Sequence, residues 1–171
     1  EAALAAGVHT LTLPVSASEA HSLANVRKTP LAMVEQVRTI AALRQAQAPG
    51  VGLEVGISTA FGCTLQGVVP EDDVVRLAVA CAAAGADEVG LSDTVGYANP
   101  AQVRRLFRRL RAELGDKAGA AHMHNPRGLG LANCLAAWEA GCPLNPSDAA
   151  DHRPCIELWG PLIVTTTRAT I

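Results

Sequence analysis

Two histidines separated by a single residue, His122 and His124, close the short apolar run Ala118-Gly119-Ala120-Ala121. On a strand, residues i and i+2 project from the same face. The pair therefore presents two imidazoles side by side, where a strand gives way to the loop Asn125-Pro126-Arg127-Gly128-Leu129. Imidazole is the commonest protein ligand for a divalent metal. The plain alternative is a pair of polar residues at a strand end. Position favours chemistry, because the catalytic groups of α/β barrels sit at the carboxyl ends of strands.

The elements that must hold this pair follow from the hydrophobic pattern. Val8–Val15 and Val51–Ser58 are β-branched, apolar runs with the signature of buried strands, and Asp87–Leu91 is a shorter one. Thr29 precedes Pro30, and Asn99 precedes Pro100; each pair is an N-cap followed by proline at the first helical position. Leu31, Val34, Val37, Ile40 and Ala41 recur at helical spacing, as do Val74, Leu77, Ala78 and Cys81, and then Val103, Leu106, Phe107 and Leu110. A further helix is expected from about Gly128 to Glu139. Ser16–Ser22 reads as a polar loop, and Glu1–Gly7 as the last turns of a helix that begins upstream. Strands alternating with amphipathic helices imply a parallel sheet. About four βα units make an α/β chain of the partial (β/α)8 TIM-barrel class, since a complete barrel typically needs about 250 residues. No Gly-x-Gly-x-x-Gly loop follows the first strand, which argues against a doubly wound dinucleotide fold.

The chain has 171 residues and a formal net charge of −2, which argues against a general nucleic-acid binder. No apolar run reaches the roughly 18 residues of a membrane span. Five cysteines without a CxxC pair read as free thiols of a cytoplasmic protein. Cys63, Cys81 and Cys134 are expected in the core. The arginines crowding 104–111 read as the solvated outer face of a helix rather than a site for a ligand's phosphates.

Four stretches then occur in one order: Val15-Ser16-Ala17-Ser18-Glu19, Ile57-Ser58-Thr59-Ala60-Phe61-Gly62-Cys63, Leu91-Ser92-Asp93-Thr94-Val95-Gly96, and His122-Met123-His124-Asn125 with Arg127–Asn133. Together they resemble the hydroxymethylglutaryl-CoA lyase family of metal-dependent TIM-barrel lyases. The resemblance implies metal-assisted carbon–carbon cleavage of 3-hydroxy-3-methylglutaryl-CoA to acetyl-CoA and acetoacetate, a step of leucine degradation. It implies a divalent cation, Mg or Mn, held by His122 and His124, with His122 also catalytic. It implies Asp93 as a catalytic and substrate-contacting acid, Thr94 beside it, and Ser18 and Glu19 at the substrate pocket. The expected partner is an acyl-CoA, with neither nucleic acid nor membrane. The same superfamily also holds Claisen-type synthases and metal-dependent aldolases.

The departures set the remaining expectations. The family's first-strand Arg-Asp pair, its glycine-rich loop with a catalytic Cys, and a later Asn of its metal shell are not matched here. Asn125 stands where family members commonly carry Asp. Residues 1–141 are read as the partial lyase domain, and 142–171 as a tail that does not match the family and is of out-of-frame or foreign origin. The chain by itself is expected to be an inactive piece, or a non-catalytic one that self-associates into a homo-oligomer through exposed sheet edges.

Overall fold

The computed structural model describes residues 7–142 and the backbone of Ile156–Trp159. The helix end expected over Glu1–Gly7 and most of the expected tail lie outside the described residues. One sheet holds five strands in the order β1 (Thr10–Ser16), β2 (Gly52–Ser58), β3 (Glu88–Asp93), β4 (Ala118–His124) and β5 (Ile156–Trp159). Every neighbouring pair is parallel. Helices α1 (Glu19–Val26) and α2 (Pro30–Gln47) lie between β1 and β2. Helix α3 (Glu71–Ala83) links β2 to β3, α4 (Pro100–Leu114) links β3 to β4, and α5 (Gly130–Glu139) follows β4. Spatial order equal to sequence order is the winding of a (β/α)8 barrel segment; a doubly wound sheet reverses its order at a switch point.

The helix starts follow the local chemistry. Thr29 Oγ1 accepts from Ala32 N at 3.2 Å, and Asn99 Oδ1 accepts from Gln102 N at 3.0 Å, each with proline next in the chain. Glu71, Asp72 and Asp73 occupy the first turn of α3, where the helix dipole favours negative charge. Ser16–Ser22 differs from the loop expected of it. Ser18 caps a short helix there, accepting from His21 N at 3.2 Å.

The sheet has two unlike faces. Leu53, Val55 and Ile57 of β2 and Val89 and Leu91 of β3 are buried with Leu106, Phe107 and Leu110 of α4 in one core. Burying each such side chain stabilises the fold by about 1.5–3 kcal/mol. The alternate residues Glu54, Gly56, Ser58, Glu88, Gly90 and Ser92 are small or polar and only half-buried. The strands thus alternate instead of being apolar throughout, as the sequence of Val8–Val15 implied: Thr10, Thr12 and Pro14 are exposed.

A bulge decides which face the histidines occupy. Val89 pairs with Ala118 and Leu91 pairs with Ala121, so two residues of β4, Gly119 and Ala120, lie opposite the single residue Gly90. Residues paired in register share a face, so Ala118 and Ala121 both face the helices although three positions apart. The extra residue reverses the alternation from that point. Met123 faces the helices and is buried, while His122 and His124 turn to the polar face. Gly90 permits the close approach, since a Cβ there would stand 2.4 Å from the Ala120 carbonyl oxygen.

Beyond β4, Ile156–Trp159 of the expected tail runs parallel to it, with Ile156 opposite Ala121 and Trp159 opposite His124. No helix among the described residues is long and apolar enough to cross a membrane.

Candidate metal and active site

The two histidines converge as their spacing implies. Their Nε2 atoms lie 3.3 Å apart, and the rings meet edge to face with centroids 5.0 Å apart. His124 Nδ1 lies 2.8 Å from the Thr94 carbonyl oxygen. A carbonyl only accepts, so Nδ1 carries the proton and donates, and neutral His124 keeps its lone pair on Nε2. Orientation of a ligand imidazole through its other nitrogen is a recurrent arrangement of metal sites.

The donor geometry can be compared with what a cation requires. Two nitrogens each about 2.1 Å from one ion, and roughly 100° apart around it, stand about 3.2 Å from each other. The spacing of the histidine pair fits that requirement, and the pair would supply two ligands. A hard cation such as Mg or Mn takes about six, most of them oxygen. Among the described residues, no group of three or more His, Cys, Asp or Glu side chains is arranged to hold a metal ion.

Asp93 ends β3 on the helix-facing side, 1% exposed. Its carboxylate accepts from Tyr97 N at 2.9 Å and from Ala98 N at 3.3 Å. Burial raises its carboxyl above the usual range, against the hydrogen bonds from the backbone N–H groups of Ala98, Tyr97 and Gly96. Asp93 therefore pins the turn whose next residue, Thr94, orients His124. Thr94 Oγ1 also accepts from Thr59 N at 2.7 Å.

Ser18 is buried and engaged by protein groups. Its N donates to Thr59 Oγ1 at 3.0 Å, and its hydroxyl donates to Gln66 Oε1 at 2.9 Å. Glu19 is exposed in the first turn of α1. Sequence reasoning missed a neighbouring pair, Ser16 Oγ and His21 Nδ1, 2.5 Å apart at the carboxyl end of β1. It also missed Thr59, which sits in the loop after β2 with φ of +56°. The Ser16–His21 spacing of five carries no signal in a stretch that reads as a polar loop.

Cys63 is buried as expected, with its Sγ accepting from Leu65 N at 3.3 Å. Burial pushes the thiol up, but hydrogen bonds with Ser18 and with the Gln66 and Leu65 backbone outweigh it and leave the thiol below its ordinary value. Burial pushes Cys81 up to about 12 and Cys134 up to about 11, as suits core thiols. Asn125 Oδ1 accepts from Gly130 N at 2.8 Å and so caps the start of α5. The arginine-rich α4 spends its charges on the outside. Arg104 pairs with Glu139, Arg105 with Glu71, and Arg109 with Glu71 and Asp72.

A family model described as HMGL-like matches residues 1–144. The hydroxymethylglutaryl-CoA lyase YngG of Bacillus subtilis is 35% identical over 158 residues, which is 91% of this chain and 51% of that relative. The (R)-citramalyl-CoA lyase of Chloroflexus aurantiacus is 35% identical over 142 residues, 82% of this chain and 44% of that relative. An HMG-CoA lyase from Acinetobacter baumannii, solved in complex with coenzyme A and 3-methylmalate, superposes with a TM-score of 0.75 at 34% identity over 82% of this chain and 45% of that one. The chain thus spans about half the length of the curated relatives it matches.

Proposed function

The chain belongs to the HMGL-like family, and from that premise we propose that its strand-end site serves carbon–carbon cleavage of a 3-hydroxyacyl-CoA, with 3-hydroxy-3-methylglutaryl-CoA yielding acetyl-CoA and acetoacetate. The observation that carries the reading is the convergence of His122 and His124 Nε2 at 3.3 Å, with His124 oriented by Thr94. His122 and His124 are the two nitrogen donors for a divalent cation, Mg or Mn. A cation held there would supply Lewis-acid chemistry, making the substrate's tertiary hydroxyl easier to deprotonate.

The chain's own groups divide the remaining work. The hydroxyl proton leaves to a base as the bond between C2 and C3 breaks, and the departing enolate takes a proton to become acetyl-CoA. We assign proton handling at the substrate to His122. Thr94 holds the His124 ring through its carbonyl, and Asp93 acts beneath it by fixing the turn. Ser18 and Glu19 form the wall after β1, with Glu19 at the exposed rim. The domain occupies residues 1–141 in this reading, and 142–171 is a tail of separate origin. With two donors in hand, the chain alone is expected to bind metal weakly and to be inactive.

Release of acetyl-CoA from 3-hydroxy-3-methylglutaryl-CoA, measured with and without Mn2+ in this chain and in His122→Ala, tests the activity. A parallel Mn2+ titration tests the site. Saturable Mn2+ binding that disappears in His122→Ala supports the reading. Absence of saturable binding up to millimolar Mn2+ in the unaltered chain sinks it. Comparing citramalyl-CoA in the same assay decides the acyl group, since the citramalyl-CoA lyase relative is as similar as YngG.

A further inference from the structure

One residue ties the loops after β1, β2 and β3 together, and through them the ring of His124. Thr59 N donates to Thr94 Oγ1 at 2.7 Å. Thr59 Oγ1 accepts from Ser18 N at 3.0 Å and donates to the Ser58 carbonyl at 2.6 Å. Thr94 in turn accepts from His124 Nδ1 through its own carbonyl. The bonds form one continuous path across four strand ends, from Ser18 through Thr59 and Thr94 to His124.

Thr59 holds this place in an unfavourable backbone conformation. Its φ is +56°, and it is fully buried. The other non-glycine residue with positive φ among the described residues is Arg27, the exposed C-cap of α1. A β-branched residue in the left-handed region is a genuine outlier, and glycine would adopt that φ without strain. What glycine lacks is the hydroxyl, which is the group that engages Ser18 N and Ser58 O. Strain retained at a buried position, together with hydrogen bonds that only the strained side chain makes, points to a role for that side chain.

We infer that Thr59 is a positioning residue for the metal site: its hydroxyl fixes the loop after β2, so that its main-chain N–H holds Thr94 where the Thr94 carbonyl keeps the proton of His124 on Nδ1. The inference rests on the proposed function only in calling His124 a ligand. The relay itself acts on the tautomer of the ring whether or not a metal is bound. Thr59→Gly accommodates the left-handed backbone and removes the hydroxyl. Thr59→Ser keeps the hydroxyl.

The test is the tautomer of His124 in the metal-free chain, read by 15N NMR of the imidazoles at a pH well above their titration, with His124→Gln used for assignment. The Nδ1–H form is expected in the unaltered chain and in Thr59→Ser, and a mixture with the Nε2–H form in Thr59→Gly. Circular dichroism establishes that each variant is folded, and Thr59→Val serves as a second hydroxyl-free variant if Thr59→Gly is not. The Mn2+ dissociation constant is expected to rise roughly tenfold in the hydroxyl-free variant and to return in Thr59→Ser, the low end of the effect of removing outer partners of metal ligands. A folded hydroxyl-free variant that keeps the Nδ1–H form overturns the inference. Failure of the unaltered chain to bind Mn2+ overturns the proposed function instead, and the tautomer comparison then decides the role of Thr59 alone.

Discussion

His124 donates from Nδ1 to the carbonyl oxygen of Thr94 at 2.8 Å, and this one bond fixes which of its nitrogens faces the site. The loop after β3 acts on the strand β4 beside it, and the lone pair on Nε2 points toward His122.

Removal of that ring is expected to weaken Mn2+ association by tenfold or more. His124→Ala, titrated with Mn2+ by electron paramagnetic resonance, measures it. Equal affinity in the variant and the unaltered chain would show that the pair holds no ion.

The bulge in β4 makes a sharper prediction. Deleting Ala120 removes the extra residue and leaves Gly119 alone opposite Gly90, so Ala121 still pairs with Leu91 and His122 and His124 keep the polar face. We expect Mn2+ binding to be kept. A folded deletion variant that loses Mn2+ binding contradicts this account of the register. Gly90→Ala leaves the register formally intact but drives a methyl against the Ala120 carbonyl. Overpacking of that kind costs about 1–3 kcal/mol, measurable by urea unfolding.

Asp93→Ala leaves Tyr97 N and Ala98 N without their acceptor in a partly buried turn. The expected destabilisation is about 1–3 kcal/mol, the usual penalty for orphaned buried donors. Because the same turn carries Thr94, the His124 tautomer is expected to become mixed as well. An Asp93→Ala protein with unchanged urea midpoint would place the carboxylate in the pocket chemistry and not in the scaffold.

Two carboxylates of opposite shift predict the pH dependence of stability. Burial first, and then the charge of Glu54, raises Glu88 above its ordinary value. Its folded-state affinity for the proton exceeds that of the unfolded chain. Its contribution is therefore full below the ordinary glutamate pKa of about 4.3 and is lost as pH rises through the raised value. Glu71 behaves oppositely, since the hydrogen bond from Arg105 outweighs burial and lowers it. Its contribution is present above the ordinary range and is lost as pH falls through the lowered value. Glu88→Gln should thus gain on the unaltered chain toward neutral pH, and Glu71→Gln should fall behind it there. Melting curves from pH 3 to 8 check both signs.

Much of this arrangement is legible from the sequence, because it depends on neighbours in the chain. Thr29-Pro30 and Asn99-Pro100 start helices through bonds spanning three residues. The alternation of strands and helices yields a parallel α/β sheet, and the spacing of His122 and His124 puts both rings on one face. The order and wording of four loops identify the HMGL-like family. Which face the rings take was not legible. It depends on the pairing of Ala118 with Val89 and of Ala121 with Leu91, a register between strands separated by a helix. Nor did the sequence mark Thr59, whose left-handed backbone and bonds to Ser18 and Thr94 arise only when three loops meet. Local bonding sets which residues become helix and strand; the packing of strand against strand decides where their side chains point, and so which of them can act together.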